Sequence, residues 1–66
     1  MKTYKLNGLD IYTVAFNRTD ATVIFLINRI GVVPENIIET DITPKEEAIG
    51  KVFRSLEEYN NFKKNY

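Results

Sequence analysis

Apolar and polar positions alternate at the start of the chain, break at Asn7-Gly8, and resume from Leu9 to Phe16. Strand side chains point to opposite faces in turn, and Asn-Gly between two such runs is the strongest short-range signal for a two-residue type I′ hairpin turn. The pattern predicts an N-terminal β-hairpin with Tyr4-Lys5-Leu6 in its first strand. In the second strand Leu9, Ile11, Thr13 and Ala15 face one way, and Asp10, Tyr12, Val14 and Phe16 the other. Beyond Asp10 both faces are largely apolar, so both are expected to be buried.

The next segment is punctuated as a helix from about Asp20 to Ile30. Asn17-Arg18-Thr19-Asp20 offers N-cap residues, Arg29 complements the last turn, Gly31 suits the position after the C-cap, and Pro34 follows. The β-branched residues Thr22, Val23, Ile24 and Ile27 favour a strand instead. We take the helix. Its apolar side chains, Val23-Ile24-Phe25-Leu26-Ile27 and then Ile30, would surround the axis almost completely at 100° per residue. A short turn at Val33-Pro34-Glu35-Asn36 then leads into a strand from Asn36 to Ile42.

The last third supports two readings. In the first, Ala48 to Arg54 pairs back on Asn36 to Ile42, and Ser55-Leu56-Glu57-Glu58 opens a C-terminal helix through an S-x-x-E capping box. Leu56, Tyr59, Phe62 and Tyr66 then line one face. In the second, Thr43-Pro44-Lys45-Glu46 is the box and one long helix runs from about Pro44 to Lys64. We take the first, because Gly50 and the Ser55 box lose their purpose in a continuous helix. The expected fold is therefore α+β, a small single domain over residues 1–66. Its order is an N-terminal hairpin, a central helix, a second strand pair and a C-terminal helix.

Composition sharpens this. At 66 residues the chain has material for one core, and a domain of that size is marginally stable unless something supplements the core. It has no Cys and no His, which removes disulfides, thiolate and imidazole zinc sites, and Cys or His catalysis. Self-association is the supplement left. With 44% hydrophobic and 27% charged residues the chain should fold and stay in solution. Nine basic residues cancel nine acidic ones, so no net field draws it to nucleic acid or an anionic membrane. The N-terminus lacks the apolar run of a secretory signal, and cytoplasmic location is expected.

Candidate chemistry is sparse. Gly8, Gly31 and Gly50 are too scattered for a phosphate-binding loop, so no cofactor is expected. Glu39, Asp41, Glu46 and Glu47 match no calcium loop and read as a solvated face and a charged turn. Ser55 reads as a helix cap rather than a nucleophile. No enzyme, small-molecule substrate or membrane association is expected. The least ordinary feature is the apolar helix, which a chain this small has little material to cover on both sides. The expected function is a non-enzymatic protein-interaction or regulatory module, a homodimer or the ligand of a larger protein, with Val23, Phe25, Ile27 and Ile30 as contacts. The alternative explanation of that helix is burial between the sheet and the C-terminal helix within one chain. The alternative function is a nucleic-acid-binding accessory protein using Lys51, Arg54, Lys63 and Lys64 among aromatic rings.

Overall fold

The computed structural model describes residues 1–65. The alternating N-terminal segment forms two central strands, β1 (Lys2–Leu6) and β2 (Tyr12–Ala15), antiparallel with Lys2 opposite Ala15 and Lys5 opposite Tyr12. Their connection is wider than Asn-Gly predicts: the Leu6 N–H donates to the Ile11 carbonyl, leaving Asn7 to Asp10 as the loop. Within that loop the Leu9 N–H returns to the Leu6 carbonyl, and Gly8 alone has a left-handed backbone, at φ 81°. Positive φ at the third residue only is the type II pattern, since type I′ needs it at both central residues. The pairing has moved by two residues, which preserves the expected faces where a shift of one would have exchanged them.

Two edge strands complete a four-stranded antiparallel sheet in the order β3-β1-β2-β4, with β3 at Ile37–Glu39 and β4 at Val52–Phe53. The expected pairing of Ala48 to Arg54 on Asn36 to Ile42 is thus corrected. Those segments lie at opposite edges, because a central hairpin that is apolar on both faces needs a neighbour on each side. Nor does a long helix start at Pro44. Glu46–Ala48 is a single 3₁₀ turn without a side-chain cap, and Gly50 at φ 85° ends any continuation.

Helix α1 (Arg18–Ile27) begins two residues earlier than its punctuation suggests, with the Asn17 side chain accepting from the Asp20 N–H at 2.8 Å. Its stop is also earlier. The Ile30 N–H reaches the Phe25 carbonyl and the Arg29 N–H the Leu26 carbonyl, the paired bonds of a Schellman motif. The left-handed residue this motif requires is Arg29, at φ 64°, and not Gly31. Helix α2 (Leu56–Lys64) starts as its capping box predicts, with Ser55 Oγ accepting from the Glu58 N–H at 3.0 Å. The Glu58 carboxylate reaches back to the Arg54 N–H, and Asp10 of the hairpin loop accepts from the Leu56 N–H. Tyr66, expected on the apolar face of this helix, lies outside the described residues.

The two helices cover opposite faces of the sheet. On one, Tyr4, Leu6, Ala15 and Ile37 pack with Ala21 and Phe25 of α1. On the other, Tyr12, Val14 and Phe53 pack with Ala48 and with Tyr59 of α2. All four residues of β2 are buried, as both its faces predict. The fully buried threonines Thr3 and Thr13 are satisfied: Thr13 Oγ1 donates to the Lys51 carbonyl at 2.6 Å, and Thr3 Oγ1 meets the Tyr59 hydroxyl at 3.3 Å. That hydroxyl also donates to the Thr43 carbonyl at 3.1 Å and accepts from the Lys45 N–H at 3.0 Å.

Three substitutions test this architecture by chemical denaturation. Arg29→Gly should stabilise by about 1 kcal/mol, because a left-handed backbone costs a residue with a Cβ roughly that much. Gly50→Ala should destabilise by about 1 kcal/mol for the same reason, since an added Cβ would meet nothing within 4 Å and only the backbone is strained. A stabilising Gly50→Ala would contradict the break between the 3₁₀ turn and β4. Tyr59→Phe should cost about 2 kcal/mol through the polar groups it strands, and an unchanged midpoint would show that the three contacts carry no weight.

Candidate interaction surface

Helical geometry divides the four apolar contacts named from the sequence. At 100° per residue Val23 and Ile27 are 40° apart, whereas Phe25 lies about 160° from each. Phe25 is accordingly a core residue with 0% exposure, and its assignment as a partner contact is corrected. Ile30 is also drawn inward, because the Schellman turn folds it back against the Phe25 cluster, where it is half-buried. Val23 and Ile27 do face outward, at 48% and 73% exposure, and Leu26 joins them at 52%. Leu26 was legible in the sequence from the i, i+3, i+4 spacing opposite Ala21 and Phe25.

Phe16, 64% exposed where β2 runs into α1, is the other residue the sequence reading missed as a surface group. Alternation gave Phe16 the face of Tyr12 and Val14, but β2 ends at Ala15 and the chain turns at Asn17 to cap α1. Phe16, Asp20, Val23 and Ile24 line an open groove of about 330 Å³ together with Ala15, Ile49 and Gly50. Apolar groups dominate it. Its one titratable side chain is Asp20, so it holds no paired acid and base and no activated nucleophile.

Burial of α1 between the sheet and α2 is also corrected. The sheet separates the two helices, so α2 cannot reach the outward side of α1. Nothing in the described chain covers Val23, Leu26 and Ile27.

The four cations do not form a comparable surface. Lys51 Nζ lies 5.9 Å from the centre of the Phe62 ring, and Lys63 Nζ lies 4.8 Å from that of Tyr59. Those rings belong to a cluster with Phe53, at centroid distances of 4.9 and 5.2 Å, and Tyr59 is buried. Of the two rings beside these cations, Tyr59 is committed to the core and Phe62 is half-buried against it. Arg54 and Lys64 are exposed, interspersed with Glu57 and Glu58. Among the carboxylates, Glu39 pairs with Lys2 at 3.2 Å and Glu47 with Lys45 at 4.0 Å. No three acidic side chains converge as a metal site among the described residues, and no helix there is long and apolar enough to cross a membrane. Compared with protein-family models, curated proteins and solved structures, the chain matches none.

The titration of Tyr12 is displaced. Burial raises its phenol above the ordinary value near 10, and a hydrogen bond and the charge of Asp10 push it the same way. The unfolded chain therefore loses this proton first as pH rises. Stability from this group is complete below about pH 10 and is lost progressively above it. Denaturation midpoints followed from neutral to alkaline pH should fall less steeply above pH 10 in Tyr12→Phe than in the wild type, and parallel slopes would contradict the assignment.

Proposed function

We propose that this protein is a non-enzymatic interaction module whose working surface is the outward side of α1, flanked by Phe16. The observation that carries this reading is the contrast between the two helices. Both lie on a sheet face with one side turned to solvent, yet α2 turns out Glu57, Glu58, Asn60, Asn61 and Lys64, whereas α1, after the exposed Arg18, Thr19 and Asp20 of its first turn, turns out Val23, Leu26 and Ile27. A chain with charged and polar residues to spare has left three large apolar side chains exposed at i, i+3 and i+4 on one helix, and such strips mark contact surfaces. The open groove with a single carboxylate supports a binding role over catalysis. A cytoplasmic location belongs to this proposal and rests on the sequence alone.

The alternative, a nucleic-acid accessory protein working through Lys51, Arg54, Lys63 and Lys64, makes a different demand. It requires salt-dependent association with oligonucleotides that is insensitive to α1. Ile27→Asp separates the two. Because Ile27 is exposed but ends α1, where a carboxylate opposes the helix dipole, this change should lower the stability of the single chain by no more than about 1 kcal/mol. It should abolish the association of the protein with itself and with proteins of its own cell, both measured by sedimentation and co-purification. Identical behaviour of the variant and the wild type in both measurements would refute α1 as the working surface.

A further inference from the structure

We propose that Asn7 is a site of spontaneous covalent modification: the Gly8 backbone nitrogen attacks the Asn7 side-chain amide, and the cyclic imide that results opens with water to isoaspartate and aspartate. The inference is independent of the reading of α1.

The step needs only water as co-reactant. The Gly8 N–H gives its proton to water or hydroxide, the nitrogen bonds to Asn7 Cγ, and Nδ2 leaves as ammonia with a proton from solvent. Water then adds to one of the two imide carbonyls. Opening at Cγ restores the ordinary backbone and leaves aspartate. Opening at the backbone carbonyl carbon of residue 7 routes the chain through Cβ and Cγ and leaves isoaspartate. Either product adds a negative charge to a chain of zero formal net charge.

Both reactants are exposed, and Gly8 has no side chain to shield its nitrogen. Neither the Gly8 N–H nor the Asn7 carbonyl or side chain is hydrogen-bonded among the described residues. The peptide between them therefore turns over without breaking a hydrogen bond. The Leu9 N–H to Leu6 carbonyl bond at 3.1 Å is common to type I and type II turns, which differ by that flip, and the Asn7 N–H keeps the Asn36 carbonyl at 2.7 Å. Turned through the extended position, the peptide brings the Gly8 nitrogen onto the Asn7 amide carbon. The other described asparagines are held. Asn17 engages its side-chain oxygen with the Asp20 N–H, and Asn28 and Asn65 donate their amides to the Ile24 and Asn61 carbonyls. The N–H after Asn36 is taken by the Pro34 carbonyl, and Asn60 and Asn61 lie inside α2, whose ladder holds the N–H that follows each.

The modification falls at a joint of the fold. The loop is tied to the 3₁₀ turn at Pro34–Asn36 through the Asn7 N–H, and to α2 through Asp10, which accepts from the Leu56 N–H. The extra backbone carbon of isoaspartate shifts one tie relative to the other and strains both, whereas aspartate spares them.

Wild-type protein held for days in mildly alkaline buffer would be followed by isoelectric focusing and by peptide mapping with mass spectrometry. An acidic form should accumulate, altered at residue 7 and richer in isoaspartate than in aspartate, and Asn7→Gln should not form it. Its rate should lie within about tenfold of that in the urea-unfolded chain, a barrier difference of about 1.4 kcal/mol. Greater protection overturns the proposal; global unfolding as the only route would slow the reaction by roughly a thousandfold or more. Earlier deamidation at another asparagine, or the same acidic form in Asn7→Gln, overturns it as well. The purified isoaspartyl form should denature at a lower urea concentration than Asn7→Asp, and equal midpoints would refute the strain on the two ties.

Discussion

The Tyr59 hydroxyl joins three parts of the chain that are far apart in sequence, and the placement of α2 depends on it. A phenol has one proton and two lone-pair sites. Donation to the Thr43 carbonyl uses the proton, so Lys45 N–H and Thr3 Oγ1–H must fill the acceptor sites. The hydrogen-bonding capacity of a hydroxyl on a fully buried residue is thereby complete, which is the condition under which such burial is tolerated. Thr3 fixes the helix to a central strand, and Thr43 and Lys45 fix it to the segment between β3 and the 3₁₀ turn. Asp10 adds a fourth attachment at the helix N-terminus through the Leu56 N–H.

With α2 held on one face and α1 on the other, the sheet is buried twice by a chain of 66 residues. Each of the two clusters is consequently thin. The helices are one layer deep, with nothing behind them, so the outward side of each meets solvent or a partner. The polar outward side of α2 suits solvent. The outward side of α1 forgoes burial worth roughly 25 cal/mol for each Å² of apolar surface. For a domain whose size limits its stability, recovering that area in an assembly is a substantial gain.

Local chemistry announced itself in the sequence where one residue type is sufficient cause. Ser55 caps α2 because its hydroxyl reaches the third N–H of the helix, and Gly50 breaks the chain because its backbone turns left-handed. The hairpin and the two-sided burial of β2 followed from periodicity, and α1 from the cap residues that frame it. Features set by several segments together stayed hidden. Gly31 advertised the end of α1, yet Arg29 took the left-handed position, since stopping there lets Ile30 pack on Phe25. No pattern in Tyr59 itself distinguishes a hydroxyl with three partners from one in water, because two of those partners come from the irregular stretch at Thr43 and Lys45. The partner-contact set failed at Phe25 for a simpler reason: apolarity all round a helix does not say which side the sheet will take.

The sheet edges bear on how this apolar surface is used. An open four-stranded sheet normally offers its outer strands as templates for pairing with other chains. Here β4 is only two residues long, and β3 is three. The backbone of Ile37 is occupied at both ends: Arg18 Nε donates to its carbonyl at 3.1 Å, and its N–H reaches the Pro34 carbonyl. Arg18 is the first residue of α1, so the helix that carries the apolar strip also blunts the adjacent edge. Strand addition is disfavoured on β3 by spent hydrogen-bonding groups and on β4 by length. On the proposed reading, association by α1 would therefore face little competition from the sheet, and a partner would be selected by side-chain shape and charge, which discriminate between surfaces, rather than by backbone pairing, which does not.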